Sequence, residues 1–209
     1  AECRMPLCYG GGIKNLEQIS RIISMGVEKI AISSAALDNP NLIAKAAKKV
    51  GSQSIVVVLD IKKNLKDDKY EIVTYNAQKN TGKPPIEFGP KLEKLGAGEI
   101  AINSIDNDGM MQGYDLNLVD KIRQAVSLPL TVLGGAGSLQ DIGTLISEQG
   151  IIGAGAGSLF VFKGIYRAVL INYPNTDEKN TLIRKSYQIF LNRNVLLCNK
   201  SSKILKPVN

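Results

Sequence analysis

Tyr9-Gly10-Gly11-Gly12-Ile13 is a glycine-rich turn that lies between two segments of different pattern. A short apolar run, Met5-Pro6-Leu7-Cys8, precedes the turn and is typical of a strand, whereas residues 16–25 after it are predicted to form a helix. Glycine lets main-chain N–H groups approach a phosphate closely, and the positive end of a helix dipole favours negative charge there. The sequence therefore predicts an anion site directly after the first strand.

A second glycine turn, Leu133-Gly134-Gly135-Ala136-Gly137-Ser138, repeats this arrangement later in the chain. Each turn is followed, at a matching interval, by a strand end of small residues, which are Ala31-Ile32-Ser33-Ser34-Ala35 and Gly155-Ala156-Gly157-Ser158-Leu159. This internal repeat of a phosphate-binding βαβ unit predicts a ligand with two phosphates. The alternative is that both turns are ordinary strand-to-helix connections, in which glycine is common.

The composition is that of an ordinary globular chain and narrows the classes of function. A length of 209 residues suits one domain, and 44% hydrophobic with 22% charged residues is typical of a soluble protein. The net charge of +7 fits either a solvated basic face or a positive field that attracts a phosphorylated ligand. Aromatic residues make up only 5% of the chain, which argues against nucleic acid as a partner.

The cysteine and histidine content excludes several kinds of catalytic site. Cys3, Cys8 and Cys198 form no CxxC pair, and the chain has no histidine, so a structural zinc site, a Cys–His dyad and a Ser–His–Asp triad are not expected. We expect no metal and no cofactor. The sparse cysteines and the lack of a long apolar run favour a reduced, cytoplasmic protein with no membrane contact.

Strands alternate with helices along the chain, which predicts a parallel sheet. The clearest strand, Ser54-Ile55-Val56-Val57-Val58-Leu59-Asp60, is apolar throughout and ends in a single acid. Polar and glycine-rich residues follow each strand, as at the active-site end of a (β/α)8 barrel or at the strand ends of a doubly wound sheet. Residues 153–157 superficially resemble a dinucleotide-binding turn but lack the following strand with its acid, so the barrel is favoured.

Only six strand-and-helix units are recognised, whereas a complete barrel needs eight. Together with a start inside a strand, this predicts that residues 1–174 hold strands three to eight of a barrel shortened at its N-terminus. Residues 70–75 are predicted to form a small surface hairpin, and residues 80–85 a mobile loop. In the unassigned tail, 175–209, we expect a helix at 181–191 followed by a disordered, Lys-rich end.

Several segments match one known family in their order and spacing. They are Gly10-Gly11-Gly12-Ile13, Gly51-Ser52-Gln53, Val56-Val57-Val58-Leu59-Asp60, Asn80-Thr81-Gly82, Gly96-Ala97-Gly98-Glu99-Ile100, Ser104-Ile105-Asp106-Asn107-Asp108-Gly109, Gly113-Tyr114-Asp115 and Gly134-Gly135-Ala136-Gly137. Over residues 3–165 the chain resembles the cyclase subunit of imidazole glycerol phosphate synthase, an enzyme of histidine biosynthesis. The resemblance implies a (β/α)8 TIM barrel of the ribulose-phosphate-binding type, with its first two β/α units missing here.

The resemblance also implies a reaction. Ammonia from a glutaminase partner passes through the barrel to a bisphosphorylated ribulosyl aminoimidazole carboxamide nucleotide, and lyase chemistry then gives imidazole glycerol phosphate and the aminoimidazole carboxamide ribotide. Asp60 matches one of two carboxylates that carry out acid–base catalysis, and the other lies on the first strand, which this sequence does not contain. We therefore expect the chain alone to have little or no cyclase activity.

Candidate contacts follow from the glycine turns and the resemblance together. The phosphate and substrate contacts are expected at Gly11, Gly12, Ser33, Ser34, Asp108, Gly109, Gly134, Gly135, Gly157 and Ser158. Lys29 and Glu99 match part of a charged ring that gates the ammonia entrance. The structural alternatives are a turn cap for Asp60, an Asx turn for Asp108 and a solvated strand start for Lys29.

Three other functions stay open at this point. Met111-Gln112-Gly113-Tyr114-Asp115 and Phe160-Val161-Phe162 look like a paralogous branch in which ammonia is used to amidate a surface-polysaccharide sugar. Ser33-Ser34 also departs from the Asn followed by Thr or Ser that the family carries there. The remaining alternatives are a non-catalytic barrel that binds phosphate or a partner, and the sister sugar-phosphate isomerase, which shares the two glycine turns.

Overall fold

The computed structural model describes residues 5–164 and 166–202. Within them six strands pair in parallel in the order β1-β2-β3-β6-β7-β8, which is also their order in the chain. The strands are β1 (Cys8–Gly10), β2 (Lys29–Ile32), β3 (Ile55–Lys63), β4 (Tyr70–Thr74), β5 (Lys79–Asn80), β6 (Glu99–Ser104), β7 (Leu130–Leu133), β8 (Gly153–Ala154), β9 (Phe162–Lys163) and β10 (Ala168–Val169). A doubly wound sheet would reverse its strand order at one point, so the sequential order identifies a partial (β/α)8 barrel.

Helices connect the parallel strands and cover one face of the sheet. They are α1 (Leu16–Ser24), α2 (Ser34–Asp38), α3 (Asn41–Val50), α4 (Pro85–Lys94), α5 (Leu116–Ala125), α6 (Leu139–Gln149), α7 (Ser158–Val161) and α8 (Thr176–Ser202), with a 3₁₀ turn at Ser52–Ser54. None of the helices in the described ranges combines the length and the apolar character needed to cross a bilayer.

Side chains alternate between the two faces of the sheet, and this alternation builds the core. Ile30, Ile55, Leu59, Ile100 and Val132 are at most 2% exposed and pack in the layer between the sheet and the helices. The residues between them in sequence point to the other face, the interior of the barrel. Those on β2, β3 and β6 are Lys29, Ala31, Val56, Val58, Asp60, Glu99, Ala101 and Asn103.

Two strand boundaries differ from the sequence-based prediction. The first strand is Cys8–Gly10 rather than residues 5–8, because the chain leaves the extended conformation only at Gly11, where φ is +107°. The prediction that a strand ends at Asp60 is wrong. β3 continues to Lys63, because Asp60–Lys63 pairs with the antiparallel strand β4. Asp60 therefore lies inside a strand with a neighbour on each side.

The predicted surface hairpin is part of the core. β4 joins the main sheet through β3, and its residues Tyr70, Ile72 and Val73 are at most 7% exposed. The segment predicted as a mobile loop is hydrogen-bonded to this hairpin, since Thr81 donates its hydroxyl to the carbonyl of Ile72 at 2.6 Å. The alternating pattern of residues 70–75 identified a strand, but it did not reveal that both faces are covered.

Polar side chains cap the starts of α1 and α6. Asn15 caps α1 by accepting from the N–H of Gln18 at 2.9 Å. Ser138 caps α6 in a reciprocal arrangement with Asp141, in which each side chain accepts from the other residue's main-chain N–H. The short helix α2 was not predicted. Its five residues are too few to show a periodic apolar pattern, and no side chain caps its start.

The C-terminal segment packs against the barrel. α8 extends well beyond the predicted 181–191, so the expectation of disorder from residue 192 is wrong up to Ser202, while 203–209 lie outside the described residues. Gly143 on α6 and Gly150 directly after it allow the close approach. A Cβ on Gly150 would lie 2.6 Å from the ring of Phe190 on α8. The division of the chain at residue 174 stays a prediction.

Replacing the N-cap of α6 tests this account of helix formation. Ser138→Ala is expected to lower the free energy of unfolding by about 1 kcal/mol, because the N–H of Asp141 loses its acceptor. Urea denaturation followed by circular dichroism measures the change. Ser147→Ala is the matched control, since that hydroxyl only donates to the Thr144 carbonyl within the same helix. Equal losses in the two variants would contradict the capping role.

Candidate active site

A cavity of about 860 Å³ opens at the carboxyl ends of β1, β2 and β3. It brings together five of the predicted site residues, which are Gly11, Gly12, Ser33, Ser34 and Asp60. Other parts of its wall come from Lys14, from the end of α2 and from the tip of the β4–β5 hairpin. The first glycine turn and the candidate catalytic acid therefore share one cavity.

The Asp60 side chain is held between Asn103 on β6 and Ser33, the residue directly after β2. Its Oδ1 accepts a hydrogen bond of 3.0 Å from Nδ2 of Asn103, which is its register partner on β6. Its Oδ2 lies 3.5 Å from the hydroxyl of Ser33, at the end of β2. The carboxylate is half-buried and lines the cavity, so it can exchange a proton with a bound molecule.

The first glycine turn leaves donors available. Gly11 and Gly12 have φ values of +107° and +70°, a region that glycine enters readily. Among the described residues we find no acceptor for their N–H groups, nor for that of Ile13. Within the adjoining helix start the N–H of Gln18 is already bound to Asn15. The turn, rather than the first helical turn, therefore offers free N–H groups to an anion.

The second glycine turn is packed rather than open. A Cβ on Gly134 would lie 2.4 Å from the Ser104 carbonyl oxygen, and one on Gly135 would lie 2.1 Å from the Gly113 carbonyl oxygen. The N–H of Gly113 donates to the Gly135 carbonyl at 2.8 Å. Glycine is required here because the loop after β6 lies directly on the turn.

A carboxylate of the chain itself occupies the helix start beside this second turn. Asp141 Oδ2 accepts from the N–H groups of Gly137 and Ser138, each at 2.9 Å. In the part of the chain that the structure describes, the N–H groups of Gly134 and Gly135 have no acceptor. An anion at this turn would therefore meet Gly134 and Gly135 rather than the start of α6.

The remaining predicted phosphate contacts lie near this second turn. Asp108 and Gly109 are on the loop after β6, and Asp108 is exposed, while Gly157 precedes α7 and Ser158 begins it. As far as the described residues define the wall of the 860 Å³ cavity, it includes none of this second group. The predicted contacts thus form two groups, one around β1 to β3 and one around β6 to β8.

Tyr114 ties the loop after β6 to the end of β8. Its hydroxyl donates to the Gly155 carbonyl at 3.0 Å. Burial, with a smaller contribution from the Asp141 carboxylate, raises the pKa of Tyr114 to about 12. The phenol therefore stays protonated at physiological pH and keeps its role as a donor.

Lys29 and Glu99 meet at the opposite, amino-terminal end of the strands. Lys29 Nζ lies 2.6 Å from Glu99 Oε2, and Thr131 donates its hydroxyl to Glu99 Oε1 at 2.6 Å. Burial and the nearby Glu99 carboxylate raise the pKa of the Cys8 thiol, which Lys29 partly offsets. Cys3 and the side chain of Cys198 lie outside the described part of the chain. The structure thus brings the two predicted gate residues into contact.

The sequence-based prediction missed several residues of the site. Asn103 had a usable signal, because it lies on the same face of β6 as Glu99, two steps of the strand alternation further on. Lys14 directly follows the first glycine turn and lines the cavity. Tyr75 and Asn76 also line it, but they gave no signal, because the pairing of the hairpin could not be read from the sequence. Asp38 and Asn39 line it from the end of α2, a helix that the sequence did not predict.

The hairpin tip spans the mouth of the cavity. Tyr75 donates its hydroxyl to Asp38 Oδ2 at 2.8 Å, and this carboxylate raises the pKa of Tyr75. Tyr75, Asn76 and Ala77 all have left-handed backbones, with φ values of +55°, +55° and +64°. Three such residues in succession, none of them glycine, mark the tip as a conformation fixed by its surroundings.

Comparisons with known proteins place the chain among enzymes of one pathway. A sequence model of the family described as "Histidine biosynthesis protein" matches residues 1–166. A protein of Leptospira interrogans named "Putative imidazole glycerol phosphate synthase subunit HisF" is 56% identical over 181 residues, which cover 87% of this chain and 71% of the relative.

Other relatives carry similar names. A Vibrio vulnificus (strain YJ016) protein named "Putative imidazole glycerol phosphate synthase subunit hisF3" is 55% identical over 179 residues, covering 86% of this chain and 69% of the relative. The "Imidazole glycerol phosphate synthase subunit HisF" of Petrotoga mobilis is 41% identical over 167 residues, covering 80% of this chain and 66% of the relative.

Two glycine substitutions with matched backbone angles test the difference between the turns. Gly11→Ala meets no atom within 4 Å and is expected to lower the free energy of unfolding by about 1–3 kcal/mol, from backbone strain alone. Gly135→Ala has a similar φ but also a clash with the Gly113 carbonyl, so its loss should be larger, and the loop after β6 should become more open to proteolysis. Urea denaturation measures the first effect, and limited digestion with thermolysin, which cleaves before apolar residues such as Met110 and Met111 in this loop, measures the second. A Gly11→Ala loss as large as that of Gly135→Ala would contradict the packed second turn.

Proposed function

The chain belongs to the histidine biosynthesis protein family, and on this basis we propose that it is the cyclase subunit of an imidazole glycerol phosphate synthase. In this role it uses ammonia from a glutaminase partner to convert a bisphosphorylated ribulosyl aminoimidazole carboxamide nucleotide to imidazole glycerol phosphate. The observation that carries the proposal is the position of Asp60. Its carboxylate shares a cavity of about 860 Å³ with the first glycine turn and Ser33–Ser34.

One phosphate of the substrate is proposed to bind beside Asp60. The N–H groups of Gly11 and Gly12 have no acceptor among the described residues, and the hydroxyls of Ser33 and Ser34 line the same cavity. Main-chain N–H groups in a turn of this kind form a concave site for an anion. Lys14 is the cationic side chain in the described lining of the cavity, which also holds two carboxylates, those of Asp38 and Asp60. A phosphate dianion would therefore rely on Lys14 for its countercharge.

The other phosphate is proposed to bind at the second group of residues, where β6, β7 and β8 end. The N–H groups of Gly134 and Gly135 are its proposed donors, together with Gly157 and Ser158 after β8. Asp108 and Gly109 complete this group from the loop after β6. The two groups lie at the same end of the parallel sheet. A molecule with a phosphate at each end could then lie across the interior face, above Asp60.

Asp60 is the proposed acid–base group of ring closure. A carboxylate held by Asn103 on one oxygen presents the other oxygen to the bound molecule, where it can accept and return a proton. Positioning a proton acceptor in this way contributes about 10²–10⁴-fold to a reaction rate.

Ammonia is proposed to enter at the far end of the strands. Lys29 and Glu99 lie at the starts of β2 and β6, and the interior face between them and Asp60 carries the small or apolar side chains of Ala31, Val58 and Ala101. A neutral molecule the size of ammonia suits a path lined in this way. A glutaminase subunit docked at this end would deliver ammonia directly to the gate.

We propose that this 209-residue chain alone turns over the substrate only weakly. The acid–base mechanism uses two carboxylates, and the described cavity wall offers Asp60 and Asp38. Asp38 is bound to the Tyr75 hydroxyl and lies on α2 rather than on the inner face of a strand. One proton-transfer group of the pair is therefore lacking in the described barrel.

A paralogous role is the second candidate. Identity is 55% and 44% to relatives whose names end in hisF3 and hisF2, against 41% to the Petrotoga mobilis subunit. This difference favours a paralogous branch, for which we propose the supply of ammonia for amidating a surface-polysaccharide sugar. Product analysis separates the two roles, because only the histidine enzyme releases imidazole glycerol phosphate.

Asp60→Asn tests the catalytic assignment. We expect the rate of imidazole glycerol phosphate formation to fall by about 100-fold or more, because the amide cannot accept a proton. The assay is single turnover at high protein concentration, with ammonium and the glutaminase subunit present, and bisphosphate binding is measured by calorimetry. Binding should persist, since the phosphate contacts are unchanged. Asp120→Asn, on the exposed face of α5, is the control. An unchanged rate in Asp60→Asn would remove Asp60 from the mechanism.

Lys29→Met tests the ammonia gate. It removes the contact with Glu99 while keeping a side chain of similar length. We expect glutamine-dependent turnover to fall about tenfold, because ammonia from the partner would no longer pass an intact gate. Turnover on added ammonium should stay within about threefold of the wild type, whereas a uniformly slower chemical step would lower both rates. Lys48→Met, on the exposed side of α3, is the matched control. Equal losses with glutamine and with ammonium would argue against a gate.

A further inference from the structure

Asn103 is the side chain that orients the candidate catalytic acid. It lies on the interior face of β6, directly opposite Asp60 in the register of the two strands. Its Nδ2 donates to Asp60 Oδ1 at 3.0 Å, a normal length for a hydrogen bond of this kind. The contact of Asp60 with Ser33 is longer, at 3.5 Å, and correspondingly weaker. Asn103 is therefore the stronger of the two anchors.

The other end of the Asn103 amide faces the second glycine turn. A Cβ built on Gly134 would lie 3.1 Å from Asn103 Oδ1, closer than nearly all real contacts of this type. Glycine at position 134 therefore leaves room for the amide oxygen. One side chain thus contacts the carboxylate on one side and the second candidate phosphate turn on the other.

The amide orientation follows from its neighbours. With Nδ2 towards Asp60, a donor meets an acceptor, whereas a flipped amide would place two oxygens with partial negative charge against each other. An amide also places no further charge beside Asp60, which shares its cavity with the charged side chains of Asp38 and Lys14. It fixes Asp60 Oδ1 and leaves Oδ2 for proton transfer.

We propose that Asn103 is a positioning residue. It holds the Asp60 carboxylate in the orientation for proton transfer, and its placement depends on the bare backbone of Gly134. This inference rests on the proposed acid–base role of Asp60 and deepens it. Asn103 itself touches no reacting atom, so its loss should lower the rate of the chemical step more than the affinity for the bisphosphate.

Asn103→Ala tests the proposal in the complex with the glutaminase subunit. We expect kcat to fall about 10–100-fold, the usual cost of losing a group that orients a catalytic ligand, with little change in KM. Asn103→Gln, which keeps the amide on a longer stem, should recover part of the rate. Asn41→Ala, on the exposed start of α3, is the matched control. An Asn103→Ala variant with unchanged kcat, or with a higher KM alone, would overturn the proposal.

A readout without substrate separates this inference from the proposed function. The ¹³C signal of the Asp60 carboxyl carbon is compared by NMR at one neutral pH in the wild type, in Asn103→Ala and in the control Asn41→Ala. Loss of the Nδ2 donor should change the chemical shift of this carbon in Asn103→Ala, whereas Asn41→Ala should leave it unchanged. A wild type that neither binds the bisphosphate nor forms imidazole glycerol phosphate with the glutaminase subunit present would reject the proposed function, whereas an unchanged signal in Asn103→Ala would reject the role of Asn103.

Discussion

The alternation of side chains along parallel strands is the constraint on which the rest of the structure depends. In β2, β3 and β6 every second residue is a buried aliphatic that packs under the helices, and this apolar layer fixes the register. The intervening residues are thereby forced onto the interior face. Asp60 and Asn103 meet because Val57 pairs with Ile100 and Leu59 with Ile102. A shift of one residue in β3 would bury the carboxylate among aliphatic side chains, and a shift of one residue in β6 would turn Asn103 away from the carboxylate.

Much of the fold was predictable from the sequence, because it is encoded in local patterns. The apolar part of β3, the polar residues at the helix starts Asn15 and Ser138, and the two glycine turns are all visible in short windows. The hairpin of β4 and β5 was not, because its antiparallel register with β3 depends on contacts between distant residues. For the same reason the cavity residue Tyr75 escaped the sequence analysis, and Asp38 escaped it because α2 is too short to show a pattern. Asn103 was within reach through strand alternation.

The two glycine turns show why similar sequences need not play similar structural roles. At Gly11 glycine is needed only for its positive φ, because the space that a Cβ would occupy is open. At Gly135 the angle is nearly the same, but a neighbouring carbonyl also occupies the position that a Cβ would take. The repeat was correctly recognised as a pair of glycine turns after strands. Only the packing around each turn separates an open set of N–H donors from a tight contact between loops.

The left-handed hairpin tip at the cavity mouth has a consequence for ligand recognition. Tyr75, Asn76 and Ala77 adopt backbone angles that cost non-glycine residues roughly 1 kcal/mol or more each, and the β4–β5 pairing and the Tyr75–Asp38 contact hold them there. The rim is thus shaped before any ligand arrives. The conformational entropy of the rim is lost when the chain folds rather than when a ligand binds. Ligand binding therefore carries less of this entropic cost. Part of the selectivity of this cavity is therefore preorganised in the folded chain.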